Sequence, residues 1–397
     1  MTDSNTADTY YTINRNLLLC IGLWPYQSFG FRCVLITMMT IILISGVVFQ
    51  FTTFVTREYS MDLLLKILAY SMPWLTYLLR YNILCLNTKK MQSLIERVHI
   101  DWNEINNARE LEIIKKYSAI GRLITLVTTL SIYLSTFSFI LIQLLSNFVL
   151  DITKAVNESR LRQFPAEIEC FVDQQKYFTP LLLYLFFVVL CSLTVLIAVE
   201  TLFMLYTQHA CGLFEVANCR IEQTLHRGMV QDVISVAEKN SIIYQGIISA
   251  VDIHRKAIEF IEMSKENFKW VFFTALPLTV LSLSINLYRL SRQITTKEHQ
   301  ETVTTLLFVM GQFGYLFFCN YLGQKVIDHS GDIFHKTYNV QWYMAPLKAQ
   351  KLLLLVMQRS MRYCTITIGG LFIPSLEGFA TLTSMSLSYF MVIYSIQ

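Results

Sequence analysis

The chain has 397 residues, 54% of them hydrophobic and only 15% charged, with a mean hydropathy of +0.46. A soluble domain carries about 25% charged residues and about 45–50% apolar ones with glycine counted, so an ordinary soluble enzyme is excluded. The net charge of +4 is too small for the dense basic face that nucleic acid requires, so no nucleic-acid partner is expected. Nine scattered cysteines form no CxxC pair and no metal-ligand spacing.

In chain order, the polar N-terminus is followed by a short apolar run, 17–24, that leads into Pro25 rather than a small-residue cleavage site. No removable signal peptide is expected. A bilayer-crossing helix needs about 20 mostly apolar residues. Charge-free stretches of that kind run over 33–56, 123–150, 177–199, 270–288, 302–324 and 378–397. A seventh span is expected over 62–85, although Lys66 and Arg80 shorten its charge-free centre. Both are expected to snorkel toward opposite interfaces.

With seven spans, the alternate connections divide the basic residues 23 to 8. Lys and Arg favour the cytoplasm, so the N-terminus is expected inside and the C-terminus outside. The sequon Asn157-Glu158-Ser159 then falls on the outer side, where glycosylation can occur.

The long connections on the basic side are not loop-like. Ile243, Ile247, Val251, Ile258 and Ile261 repeat at helical spacing with charges between them, and 351–362 resembles this. The spans are therefore expected to continue as helices into a cytoplasmic anchor. The 325–362 segment is expected to carry subunit contacts, with Trp342 and Leu353 among them. Simple packing within the chain would give the same stripes.

Gly369-Gly370 and Pro374 interrupt the next apolar run, which divides a seventh helix into an inner piece and a terminal membrane helix. On the terminal helix Glu377, Thr381, Ser384, Ser388, Val392 and Ser395 step by three or four and share one face. A polar seam in a membrane packs against another helix or lines water. In the second case several copies would surround a pore that Val392 closes by dewetting.

Aromatics cluster in the outward halves of four spans. Tyr70 and Trp74 lie on the second, Tyr133 and Phe137 on the third, Tyr184 and Phe187 on the fourth, and Phe308 on the sixth. Such rings enclose a small lipophilic ligand, or they simply pack the bundle. The lining offers hydroxyls and no buried charge, so selection by shape is expected. No HExxH, GxSxG, P-loop or GxGxxG occurs, and sequential neighbours such as Asp328-His329-Ser330 cannot adopt a triad's geometry. No enzyme activity and no cofactor are expected.

The chain resembles the insect odorant receptors. The resemblance rests on Cys319-Asn320-Tyr321-Leu322-Gly323-Gln324, on Tyr338 with Trp342-Tyr343, on the leucine-rich 352–359, and on a G-x-F-x-P-x-S-L-E-like 369–377. It also rests on Ser388-Tyr389-Phe390 with Val392, on Gly22-Leu23-Trp24-Pro25 and on His209-Ala210. The 200–269 connection is too short for the co-receptor's enlarged loop, which points to an odour-tuned subunit.

The resemblance implies an all-α membrane protein with seven transmembrane helices and a cytoplasmic anchor. Its parts would be an N-terminal segment 1–32, a six-helix bundle 33–324, an anchor segment 325–362 and a broken seventh helix 363–397. It implies an odorant-gated, poorly selective cation channel in the plasma membrane of sensory neurons. Its partners would be a small volatile odorant, membrane lipid and co-receptor subunits that complete a tetramer. The family's gate and pore positions fall on Val392 and Ser395. Alternatives are a gustatory-type channel, whose T-Y-x5-Q-F ending is missing, and a G-protein-coupled receptor, whose N-terminus would lie outside.

Overall fold

The computed structural model describes residues 5–153, 164, 169–230, 235–296, 299–370 and 372–396. The sequon at Asn157 lies outside the described residues. Eleven α-helices occur among those described. They are α1 (Asn5–Cys20), α2 (Phe29–Phe51), α3 (Thr53–Thr56), α4 (Met61–Leu86), α5 (Thr88–Glu104), α6 (Ala108–Thr153), α7 (Phe178–Val230), α8 (Val236–Thr296), α9 (His299–Asn339), α10 (Leu347–Ser360) and α11 (Leu376–Ile396). A 3-10 turn, Trp342–Met344, precedes α10.

Six helical stretches are long and apolar enough to cross a bilayer, those containing α2, α6, α7, α8, α9 and α11. Helix α4 is not among them, because Lys66 and Arg80 lower its hydropathy. Its 26 residues nevertheless rise about 39 Å, enough for a hydrocarbon core of about 30 Å. Ser60 caps its start by accepting from Leu63 N at 3.1 Å.

Helices α6 to α9 are far too long for the membrane alone. The 61 residues of α8 rise about 90 Å, about three hydrocarbon thicknesses. At one end they pack with α1, α5 and α10 into an anchor. Helix α7 is the axis of this anchor, with every residue over 197–214 buried. A helix buried all round needs ring-on-ring packing from its neighbours. Phe203 sits 4.8 Å from Phe272 and 5.2 Å from Phe268, and Tyr206 lies 5.8 Å from Phe260. The His209-Ala210 dipeptide belongs here. His209 Nε2 pairs with Asp101 Oδ2 of α5 at 3.1 Å, and Ala210 is fully buried.

One expectation for the anchor is corrected. Leu353 is fully buried, facing the core with Ala349, Val356, Met357 and Ser360, so it cannot touch a second subunit. Trp342 is half-buried against the same core. The exposed apolar residues of this region include Tyr338, Tyr343, Met344, Leu347, Leu354 and Leu355.

The interruption before the last helix is also broader than a kink. No helix continues over 363–368, where Thr365, Ile366, Thr367 and Ile368 include β-branched residues that favour extended backbone. Ile368 and Phe372 exchange backbone hydrogen bonds of 2.7 and 3.1 Å around a reversal. That reversal needs Gly369 and Gly370, at φ +60° and +72°, a conformation L side chains rarely adopt.

Candidate functional site

Between α4, α6, α7, α8 and α9 lies a cavity of about 550 Å³. Small residues make the space: Gly311 and Gly314 on α9 have nothing within 4 Å of where a Cβ would sit. Thr76, Thr128, Thr136, Thr279 and Ser282 supply hydroxyls, and Ile132, Leu193, Leu196, Leu307 and Phe318 supply apolar wall.

One wall is organised by a proline. Pro73 cannot donate to the Ala69 carbonyl one turn back. Ser282 of α8 donates to that carbonyl at 3.4 Å, and Gln312 of α9 donates to Ser282 Oγ at 2.7 Å. Three helices are thereby joined across the cavity wall, and Gln312 Oε1 is left buried without a partner.

The cavity floor carries charge. Arg80, 1% exposed, donates to Glu200 Oε1 of α7 and to the Tyr315 hydroxyl of α9. Tyr315 donates to Glu200 Oε1 at 3.2 Å, and the Cys319 thiol to Glu200 Oε2 at 3.4 Å. The guanidinium also lies 5.1 Å from the Tyr315 ring centroid. An ion pair in this setting is held by its extra hydrogen bonds as much as by Coulomb attraction. Arg80 therefore does not snorkel, and the expected absence of buried charge is corrected. Lys66 meets Glu301 Oε1 at 3.6 Å near the far end.

Of the aromatics singled out, Phe308 lines the cavity. Tyr70 packs against Phe308 at 6.0 Å, with Arg289 5.1 Å from its own ring. Trp74 covers Gly46 of α2, where any Cβ would collide with it. Tyr184 bonds Ser45 of α2, and Tyr133 bonds Thr194 of α7 at 2.7 Å. Phe137 and Phe187 are 55% and 52% exposed on the bundle's outer surface, away from the cavity. On α4, α6 and α7 the cavity lies nearer the anchor than these rings, and α8 contributes to it as well. Small hydroxyl residues and glycines were the signal: rings fill seams between helices, whereas voids form where side chains are small.

Helix α11 has two unlike sides. Gly378, Leu382 and Ser386 are buried, with Leu382 against Val280, Leu283, Val309 and Leu316. Phe390 and Ile393 pack on Leu65, Ala69, Ile285 and Tyr288. Glu377, Thr381, Ser384, Ser388, Val392 and Ser395 are all exposed, and Met385, Leu387, Tyr389 and Met391 flank them. Among the described residues, no other element covers the stripe.

The CNYLGQ run of α9 meets the start of α11. Asn320 Oδ1 accepts from Ser375 N and Gln324 Oε1 from Leu376 N, each at 3.2 Å. No cluster of three or more His, Cys, Asp or Glu side chains able to hold a metal occurs among the described residues. Asp328, His329 and Ser330 form no relay: His329 faces Asp332 at 3.9 Å, and Ser330 Oγ accepts from Cys364 N at 2.9 Å.

Helices long and apolar enough to cross a membrane, a cavity of ligand size between them and a terminal helix with one exposed polar stripe define the architecture of a helical membrane protein. The family model for the 7tm Odorant receptor matches residues 60–387, and the chain belongs to that family. It is similar to Odorant receptor 22c of Drosophila melanogaster, 23% identical over 209 residues, which is 50% of this chain and 49% of that relative. The match thus spans about half the length of that curated relative. In fold it is similar to the insect olfactory receptor OR5 from Machilis hrabei in complex with eugenol, with a TM-score of 0.80, 16% identity and full coverage of both chains. A second structure of OR5 from Machilis hrabei gives a TM-score of 0.71 at the same identity and coverage.

Proposed function

We propose that this receptor is an odour-tuned subunit of an odorant-gated, poorly selective cation channel, working as a tetramer with co-receptor subunits in the plasma membrane of sensory neurons. The observation that carries this reading is the exposed stripe of α11. One helix per chain cannot enclose a pore, but several copies presenting Ser384, Ser388 and Val392 inward would. The valines then form an apolar neck that water leaves, and ions face a desolvation barrier there. Exposed Tyr343, Met344, Leu347, Leu354 and Leu355 in the anchor are suited to the contacts between subunits.

The cavity is the ligand site in this reading. Its volume of about 550 Å³ suits a small, mostly apolar molecule with a polar group for orientation. That a related receptor was solved with eugenol supports ligands of this class. The orientation, with α4 as the seventh span, the N-terminus inside and the C-terminus outside, is supported by the basic-residue asymmetry. Arg80 leaves that count, being buried in the bundle, without changing its direction.

The test is current recording against an odour panel, with and without a co-receptor, plus surface accessibility of tags on both termini. Evoked cation current and an accessible C-terminal tag are expected. An accessible N-terminal tag would favour the G-protein-coupled orientation. Val392→Asn should raise current without ligand at matched surface level, and an unchanged basal current would count against the valine gate.

A further inference from the structure

We propose that Asn320 and Gln324 couple the cavity to the terminal helix by clamping the first turn of α11 onto α9. The inference rests on the functional reading above and adds the route by which the ligand acts on the pore.

The first N–H groups of a helix have no partner within it, and normally the helix's own cap or water satisfies them. In α11 the cap is partly its own, since Ser375 Oγ accepts from Gly378 N at 2.9 Å. The N–H groups of Ser375 and Leu376 instead go to α9, through Asn320 Oδ1 and Gln324 Oε1. These two side chains lie one turn apart on one face of α9.

The contact between them is close. Gly323 faces Pro374 so tightly that a Cβ would collide with its carbonyl oxygen. From the other side, a Cβ on Gly378 would sit 2.9 Å from Asn320 Oδ1. Asn320 is 1% exposed, and its amide donates to the Leu316 carbonyl at 2.8 Å, so the side chain is fixed to α9 itself. The clamp is directional, buried at Asn320 and half-exposed at Gln324.

The same stretch of α9 forms the cavity. Tyr315 and Phe318 line it, and Cys319 binds Glu200 at its floor. From Phe318 to Asn320 the helix rises only about 3 Å. A ligand that turns or shifts this part of α9 therefore moves the two acceptors that hold α11. Elsewhere α11 rests on α4, α8 and α9 largely through apolar side chains such as Leu382, Phe390 and Ile393, whose attraction is non-directional and permits sliding. The clamped turn becomes the pivot, and the Val392 end swings.

The experiment uses the full channel, expressed with whichever partner yields current, and a ligand that activates the wild type. Gln324→Ala removes one acceptor at a half-buried position, and Asn320→Ala removes the other. Gln324→Glu keeps an acceptor, favoured by the helix dipole, and is made with Asp328→Asn because Gln324 Nε2 donates to Asp328 Oδ1 at 2.8 Å. Losing one hydrogen bond should raise the half-maximal ligand concentration about two- to tenfold and lower the maximal current. Surface level and the directly measured dissociation constant of the same ligand should be unchanged, and the glutamate variant should return the curve toward wild type.

A wild-type curve for Gln324→Ala would overturn the proposal. So would current that falls only in step with surface level, since that marks a stabilising contact. A dissociation constant that shifts as much as the current would place the effect on binding and overturn it as well. A wild type with no evoked current from any ligand would overturn the functional reading itself, and this inference with it.

Discussion

Helices α6 to α9 build two unlike regions along one set of helices. In the anchor, the side chains over 202–214 of α7 are all buried, ring against ring. Toward the opposite end the same helices separate around a cavity of about 550 Å³ with an ion pair at its floor. Where water surrounds a protein, it sets a contrast that drives apolar faces inward. Lipid removes that contrast in the membrane: Leu123, Leu126, Leu130 and Leu134 of α6 point outward because they are apolar. Size and polarity, rather than hydrophobicity, then decide what faces the cavity.

The largest expected effect separates the two regions by charge. Arg80→Met leaves Glu200 buried without its partner and should cost about 3–5 kcal/mol. Arg80→Met with Glu200→Leu should recover most of that, as read by thermal unfolding of the purified protein. If the single and double variants melt alike, the ion pair is not what organises the floor.

Next is the anchor. Leu353→Ala opens a hole in its core and should cost about 2–5 kcal/mol. Leu354→Ala, at an exposed neighbour, should stay within about 0.5 kcal/mol for the isolated chain. Leu354→Asp should reduce tetramer recovery while leaving membrane insertion intact. Full tetramer recovery from Leu354→Asp would move the subunit contact to another face.

These pairs also indicate what the sequence disclosed. The stripe from Glu377 to Ser395 was legible because a polar period of 3.6 stands out in an apolar helix. The helical continuation below the membrane was legible for the same reason, from Ile243 to Ile261. In the leucine run of α10, by contrast, every residue from Leu352 to Met357 is apolar, so periodicity cannot tell Leu353 from Leu354. Arg80 was misread because its partner is 120 residues away, and nothing local marks that pairing. Asn320 and Gln324 were visible as a motif, but their partners, the N–H groups of Ser375 and Leu376, belong to no side-chain pattern.

A smaller effect concerns ligand choice. Gly311→Val places a side chain into open cavity space and should reorder ligand preference, each methyl-sized change in fit shifting affinity by about 1–3 kcal/mol. The smallest effect is expected from Phe187→Ala, which should leave the ranking as it is, because that ring is on the outer surface. Odour-panel current recordings at matched surface level check both. A reordered ranking in Phe187→Ala with none in Gly311→Val would place the ligand site nearer the far end, among the rings.

The central claim, that the unpaired face of α11 lines the ion path, is tested most directly by cysteine accessibility. Ser384→Cys, Ser388→Cys and Leu382→Cys are exposed in turn to a small cationic thiol reagent during ligand-evoked current. The two stripe positions should be modified and the current blocked, while Leu382→Cys, on the buried side, should be unaffected. Current that survives reagent at both Ser384→Cys and Ser388→Cys, in channels that still open to ligand, would contradict the account and place the pore on another element.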